Sequence, residues 1–225
     1  DLATALQSLP DAHLVAVGSR TQASAEAFTK KFPARNIHSS YESLVQDPEV
    51  DVIYVATPHP MHKENTLMAL SHGKHVLCEK PFALNSRDAE SMIAFAREKK
   101  LFLMEAMWTR FFPLMYKLRE ILESGVLGKI QMFSADFGFR GPDDPSGRLM
   151  SPELGGGALM DVGIYPISFA SMILGTPDRI SSMAHLGNTG VDESSAFILG
   201  HPNGALASLY TAIRTETPHE ATIMG

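Results

Sequence analysis

Val76-Leu77-Cys78-Glu79-Lys80-Pro81 reads as a short strand buried on both faces that ends on a charged turn. The same kind of continuous apolar run recurs at Leu14-Val15-Ala16-Val17, Val52-Ile53-Tyr54-Val55 and Leu101-Phe102-Leu103-Met104, a pattern that predicts parallel strands covered on both sides. Helical signals fill the intervals. Thr21 is suited to cap a helix running to about Phe32, and Ser39 with Glu42 forms a capping-box pair. A helix is expected from Pro60 to His72, and Asn85 with Asp88 opens another whose Ala89, Met92, Ile93 and Ala96 fall on one face. Strands alternating with helices predict right-handed crossovers in a doubly wound α/β sheet.

Beyond about Ala106 the pattern changes. A helix is expected from Pro113 to Ser124, a strand near Ile130 to Phe137, a Gly/Pro/Asp-rich loop from Phe139 to Gly147, and a helix from Ala158 to Leu174. Ile180 to Ala184, Ser194 to Leu199 and Ala205 to Ile213 then follow as strands without helices between them, which predicts an α+β unit with a largely antiparallel sheet. Two domains are therefore expected, residues 1–106 and 107–225.

The 225 residues are 44% hydrophobic, enough for cores of this size. A net charge of −6 and the lack of a Lys/Arg-dense run argue against nucleic acid or an anionic membrane as partner, and leave small molecules. Cys78 is the single cysteine, so no intrachain disulfide can form and the cytoplasm is the expected compartment. No apolar run long enough to cross a bilayer is read, and a soluble protein is expected. The chain opens on Asp1 and closes on Gly225 directly after the strand-like Ala221-Thr222-Ile223-Met224, so both ends are expected to be cut.

Ligands of an open parallel sheet bind outside the carboxyl ends of its strands, where Lys80 would project. A lysine there either exchanges a proton with a substrate hydroxyl or carbonyl, or simply begins a surface turn. In Gly155-Gly156-Gly157-Ala158-Leu159-Met160-Asp161-Val162-Gly163-Ile164-Tyr165, helical spacing sets Asp161 and Tyr165 on one face. The glycines would allow close passage against a ligand or another backbone, and the helix start would offer open N–H groups. Asp161 and Tyr165 are read either as proton-handling groups or as partners of nearby polar groups. Ser19-Arg20 follows the first strand where a ribose-reading acid is usual, and an arginine there suits a 2′-phosphate, favouring NADP over NAD; an exposed loop arginine is the alternative. Thr57-Pro58-His59-Pro60-Met61-His62 closes the next strand, and its histidines lack a standard zinc spacing, so contacts to cofactor or substrate are preferred to metal. Trp108, Arg110, Phe111 and Phe137 are read as a pocket wall or as plain core.

Together these stretches resemble the glucose-fructose oxidoreductase (Gfo/Idh/MocA) family over essentially the whole chain, and more closely its dihydrodiol and NADP-dependent D-xylose dehydrogenase branch. Glu79-Lys80-Pro81 is similar to the family's Glu-Lys-Pro motif, whose lysine is catalytic and contacts cofactor, and the glycine run through Asp161 is similar to its second signature. Tyr165, where much of the family has His, and Met104-Glu105-Ala106-Met107-Trp108-Thr109-Arg110-Phe111 look like that branch, in which the tryptophan lines the substrate pocket. The resemblance implies a Rossmann-type domain lacking its first strand, because the family's Gly-x-Gly-x-x-Gly turn would lie upstream of Asp1, and an incomplete second domain after Gly225. It implies Lys80, Asp161 and Tyr165 as catalytic residues. Cofactor contacts would come from Ser19, Arg20, Thr57, Pro58, His59, His62, Glu79, Lys80, Trp108 and Arg110, and substrate contacts from Lys80, Trp108, Phe137, Asp161 and Tyr165. The implied activity is hydride transfer between NADP, or NAD, and a hydroxyl-bearing carbon of a sugar, polyol or cyclic diol, in a homodimer. A non-catalytic nucleotide or sugar sensor and an NAD-dependent glycoside hydrolase are the alternatives.

Overall fold

The computed structural model describes residues 2–225 and divides into two compact units. The first runs to Thr57 and continues over Met61–Glu79 and Asn85–Glu105; the second holds Pro58–Pro60, Lys80–Leu84 and Ala106–Gly225.

In the first unit the order is α1 (Leu2–Leu6), β1 (Ala16–Gly18), α2 (Gln22–Thr29), β2 (Asn36–His38), α3 (Tyr41–Val45), β3 (Val52–Val55), α4 (His62–Ser71), β4 (His75–Cys78), α5 (Ser86–Lys99) and β5 (Leu103–Glu105). All strand pairs are parallel: β1 with β2, and β3-β4-β5 in that order. Ile53 and Val55 in β3, and Val76 and Cys78 in β4, are buried, but the alternate residues Tyr54 and Leu77 are only partly buried and Val52 is 53% exposed, so the expectation of strands buried on both faces is corrected to one buried face and one partly covered face. Burial pushes the Cys78 thiol up to about 12, which leaves it a protonated core residue.

Three further expectations need correction. Strand β2 was not foreseen, because Asn36-Ile37-His38 has no apolar run. Helix α3 is capped by Ser40, whose side chain accepts from the Ser43 N–H, and not by Ser39; the extended backbone at Ser40 is what aims its hydroxyl there. On α5, Met92 and Ala96 are buried but Ile93 is 38% exposed, because a turn of roughly 100° per residue carries it off the buried stripe. Thr21 and Asn85 cap α2 and α5 as expected, accepting from the N–H groups of Ser24 and Asp88.

The second unit contains α6 (Pro113–Glu123), β6 (Met132–Gly138), α7 (Ile164–Leu174), β7 (Arg179–Leu186), β8 (Asp192–Gly200), β9 (Leu206–Ala212) and β10 (Ala221–Met224). The strand order is β10-β6-β9-β8-β7, antiparallel except for the parallel pair β6–β9. One sheet face places Phe133, Ala135, Phe197, Leu199, Ala207 and Leu209 against Ile167, Ala170 and Ile173 of α7. Met132, Ile198, Leu206 and Tyr210 lie on the other face and are exposed.

The helix expected from Ala158 is a π-helical turn over Leu159–Gly163 that passes into α7. The expectation that no run is long enough for a bilayer also needs correction, since Pro152–Leu174 is 23 residues long and apolar enough by length and composition. In the fold this run covers the sheet, and it carries the buried polar residue Asp161.

Candidate active site

The second unit gathers Lys80, Asp161 and Tyr165. Lys80 follows β4 in sequence, and its Nζ donates to the main-chain oxygen of Asp161 at 2.7 Å, 81 residues away along the chain. The same Nζ lies 3.5 Å from Asp161 Oδ1 and 4.9 Å from the centre of the Tyr165 ring. Asp161 stands on the π-helical turn with its side chain 5% exposed, and the Lys80 side chain is 15% exposed. Turns of this kind widen the helix locally and recur at functional sites. Here the turn sits between the glycine run and α7, so one short segment brings both a carboxylate and an aromatic ring to the lysine.

The glycine run makes this approach feasible. Gly157 has φ +113°, and a Cβ on it would lie 2.2 Å from Asp192 Oδ1. Asp192, from β8, reaches in at that point: its Oδ2 accepts from the Leu159 N–H at 2.8 Å and from Ser195 Oγ at 2.6 Å. The helix start read as a source of open N–H groups is therefore capped by a protein carboxylate at Leu159. Sequence reasoning passed over Asp192, which is brought here by sheet topology.

Aromatic side chains extend from Tyr165. The Trp108 indole N–H donates to the Tyr165 oxygen at 3.1 Å, with ring centres 5.9 Å apart. Phe137 lies 5.3 Å from Tyr165, and His219 lies 4.8 Å from Phe137, edge to face. His219 was not foreseen. Its backbone has φ +59°, and its N–H donates to Asp136 Oδ1 at 2.8 Å. Burial would raise the Asp136 carboxyl, but hydrogen bonds that include the N–H groups of His219 and Glu220 outweigh it and hold the group below the usual carboxylate range. Arg148, also unforeseen, forms an ion pair with Asp161 Oδ1.

The remaining residues read from sequence fall in both units. Ser19 and Arg20 follow β1 in the first unit; the Ser19 N–H donates to the His38 carbonyl at 3.1 Å, and Arg20 is exposed. Thr57 and His62 form a local lock there, with His62 Nε2 2.9 Å from the Thr57 carbonyl and Asn65 Nδ2 donating to Thr57 Oγ1 at 3.0 Å. Glu79 accepts from the Tyr54 hydroxyl, which burial, followed by this carboxylate, pushes well above its ordinary value. Pro58 and His59 belong to the second unit, where His59 Nδ1 lies 2.9 Å from the Gly155 carbonyl. Arg110 donates to Ser168 through Nε at 3.0 Å to Oγ and through a second nitrogen at 2.9 Å to the carbonyl, which fixes the Trp108 segment to α7. Among the described residues no three of His, Cys, Asp and Glu gather in an arrangement that could hold a metal ion.

A dinucleotide would be held in the first unit by the carboxyl ends of its strands. The exposed Arg20 guanidinium after β1 fits a 2′-phosphate, and the Thr57 and Glu79 segments follow β3 and β4. The sequence contains no Gly-x-Gly-x-x-Gly run for the pyrophosphate.

Comparison with known proteins places the chain in a family. The model of an oxidoreductase family with an NAD-binding Rossmann fold, GFO/IDH/MocA, matches residues 1–107, and the model of a GFO/IDH/MocA C-terminal domain matches residues 115–225. Over its whole length the chain is 42% identical to trans-1,2-dihydrobenzene-1,2-diol dehydrogenase of Mus musculus and covers 68% of that protein. It is 38% identical to the protein of the same name from Homo sapiens, again covering 68%. Among solved structures it is similar to a 3-ketoreductase from Actinomadura kijaniata in complex with NADP and TDP-benzene, with a TM-score of 0.90 and 31% identity over 99% of this chain and 69% of that one. It is likewise similar to aldose-aldose oxidoreductase from Caulobacter crescentus complexed with glycerol, with a TM-score of 0.90 and 27% identity over 98% of this chain and 68% of that one.

Proposed function

This chain belongs to the GFO/IDH/MocA oxidoreductase family with the NAD-binding Rossmann fold, and we propose that it is an NADP-dependent dehydrogenase of a cyclic diol, polyol or sugar. The observation that carries this reading is the convergence of Lys80 Nζ, the Asp161 carboxylate and the Tyr165 ring. Lys80 Nζ exchanges the proton of the hydroxyl at the reacting carbon. The Tyr165 oxygen already accepts from the Trp108 indole, so its own O–H is directed to donate to a substrate oxygen. Asp161 fixes the direction of Lys80 through its main-chain oxygen and sets its carboxylate 3.5 Å from Nζ. NADP, when bound, supplies or accepts the hydride; Ser19, Arg20 and Glu79 are the residues that would hold it, Arg20 through the 2′-phosphate. His59, His62 and Arg110 contribute by holding the loops on which these groups stand.

A cyclic diol is favoured by the wall of Trp108, Phe137 and Tyr165, which offers apolar ring faces beside proton-exchanging groups. The names of the diol dehydrogenases at 38% to 42% identity support the same substrate class. The test is NADPH formation across a panel of cyclic trans-diols, pentoses and hexoses. Saturable turnover with at least one is expected. Ligand binding without turnover across the panel, or release of phenol from an aryl glycoside without net NADPH formation, would overturn the reading.

The protein is further proposed to be a cytoplasmic homodimer. Met132, Ile198, Leu206 and Tyr210 form an exposed, largely apolar sheet face with Met183, which is 81% exposed, and a second copy covers such a face by isologous pairing. Met183→Lys should then shift the protein toward monomer in sedimentation; a monomeric wild type would contradict the proposal.

A further inference from the structure

Arg148 belongs to none of the motifs read from the sequence, yet its NH1 meets Asp161 Oδ1, the oxygen that Lys80 Nζ approaches at 3.5 Å. Two cations therefore face one oxygen of a carboxylate that is 5% exposed, while the Arg148 side chain is 55% exposed. The seat of Arg148 is itself built. Leu149 and Met150, which follow it, are 7% and 4% exposed. Gly157 N–H donates to the Leu149 carbonyl at 2.9 Å, and Gly156 N–H donates to the Ser151 carbonyl at 2.9 Å. A Cβ on Gly156 would lie 2.6 Å from the Leu149 oxygen, so a glycine is required for the two segments to approach this closely. The glycine run thus brings one stretch of backbone against another, and the result sets Arg148 opposite Asp161.

A carboxylate withdrawn from water is strongly drawn to the nearest cation, and leaving it half paired is costly. With Arg148 removed, Lys80 becomes the nearest cation, and closing the 3.5 Å gap to Oδ1 draws Nζ away from the main-chain oxygen it holds at 2.7 Å. We propose that Arg148 is a positioning residue for the reaction: by engaging Oδ1 it holds the Asp161 carboxylate still and keeps Lys80 Nζ on the main-chain oxygen of Asp161. It acts through Asp161. The kinetic side of this proposal rests on the dehydrogenase reading above; the clamp itself does not.

The experiment is a double-mutant cycle with Arg148→Met, Asp161→Asn and the pair, together with Arg148→Lys, read both in diol turnover and in denaturant unfolding. Arg148→Met should lower kcat by about 10- to 100-fold with KM within about threefold, and Arg148→Lys should recover most of the loss. In the Asp161→Asn background the same substitution should change kcat by less than about twofold. An unchanged kcat in Arg148→Met, or an equal fall in both backgrounds, would overturn the proposal. Absence of turnover in the wild type would sink the dehydrogenase reading and leave the clamp to the unfolding arm. There, an unfolding midpoint for the pair no lower than that of Arg148→Met alone supports it, and additive losses refute it.

Discussion

The two units prepare their proposed functional residues in different ways. In the first, Ser19, Arg20 and Glu79 stand at the carboxyl ends of short parallel strands, and backbone topology alone delivers them. In the second, Lys80, Asp161, Tyr165 and Trp108 come from a turn, a π-helical segment, a helix and a short helical turn, and they hold one another through side chains. A site presented by strand ends should lose affinity when one residue changes. A site held by mutual contacts should lose geometry, and with it turnover or the fold itself.

The sharpest way to break this contrast lies in the glycine run. Gly157→Ala adds a Cβ into Asp192 Oδ1 at φ +113° and should cost roughly 3 kcal/mol or more of stability in chemical denaturation, with loss of activity; a stable, active variant would show that the contact is dispensable. Arg20→Gln in the first unit should weaken NADP binding about 10- to 100-fold in calorimetry while leaving NAD binding and the unfolding midpoint unchanged. Parallel loss for both cofactors would remove the 2′-phosphate assignment. Asn85→Ala, which deletes the α5 cap, should cost about 1 kcal/mol of stability and leave kcat alone.

The smallest effect concerns Asp136, whose folded carboxyl titrates below its unfolded value. Its contribution to stability is present above the ordinary carboxylate range and is lost as pH falls toward the lowered value. Wild type and Asp136→Asn should therefore differ at neutral pH and converge in acid, and a constant difference across that range would contradict the assignment.

What could be read in the sequence follows the same division. The apolar runs at β3, β4 and β5 were legible because strands of a parallel sheet carry apolar residues on both sides, although only alternate residues of β3 and β4 are fully buried here. Asn36-Ile37-His38 was not, since its three residues pair only because β1 lies alongside. Lys80, Asp161 and Tyr165 were legible as a resemblance and as residue types suited to proton exchange. Arg148 was not, because it follows an aperiodic loop and gains its role from a contact with Asp161, 13 residues on, that the glycines permit. His219 was hidden for a similar reason. Its place beside Phe137 depends on β10 pairing with β6 across most of the second unit. The Pro58–Pro60 and Lys80–Leu84 segments belong to the second unit although the chain around them builds the first, and no composition shift marks that exchange.

The most direct test of the central claim compares wild type with Lys80→Met for turnover of a cyclic trans-diol with NADP, with NADP affinity measured alongside. Turnover should fall by about 10² to 10⁴ with NADP affinity within a few fold. Near-normal turnover in Lys80→Met would contradict the assignment of proton exchange to this lysine and, with it, the chemistry assigned to the second unit.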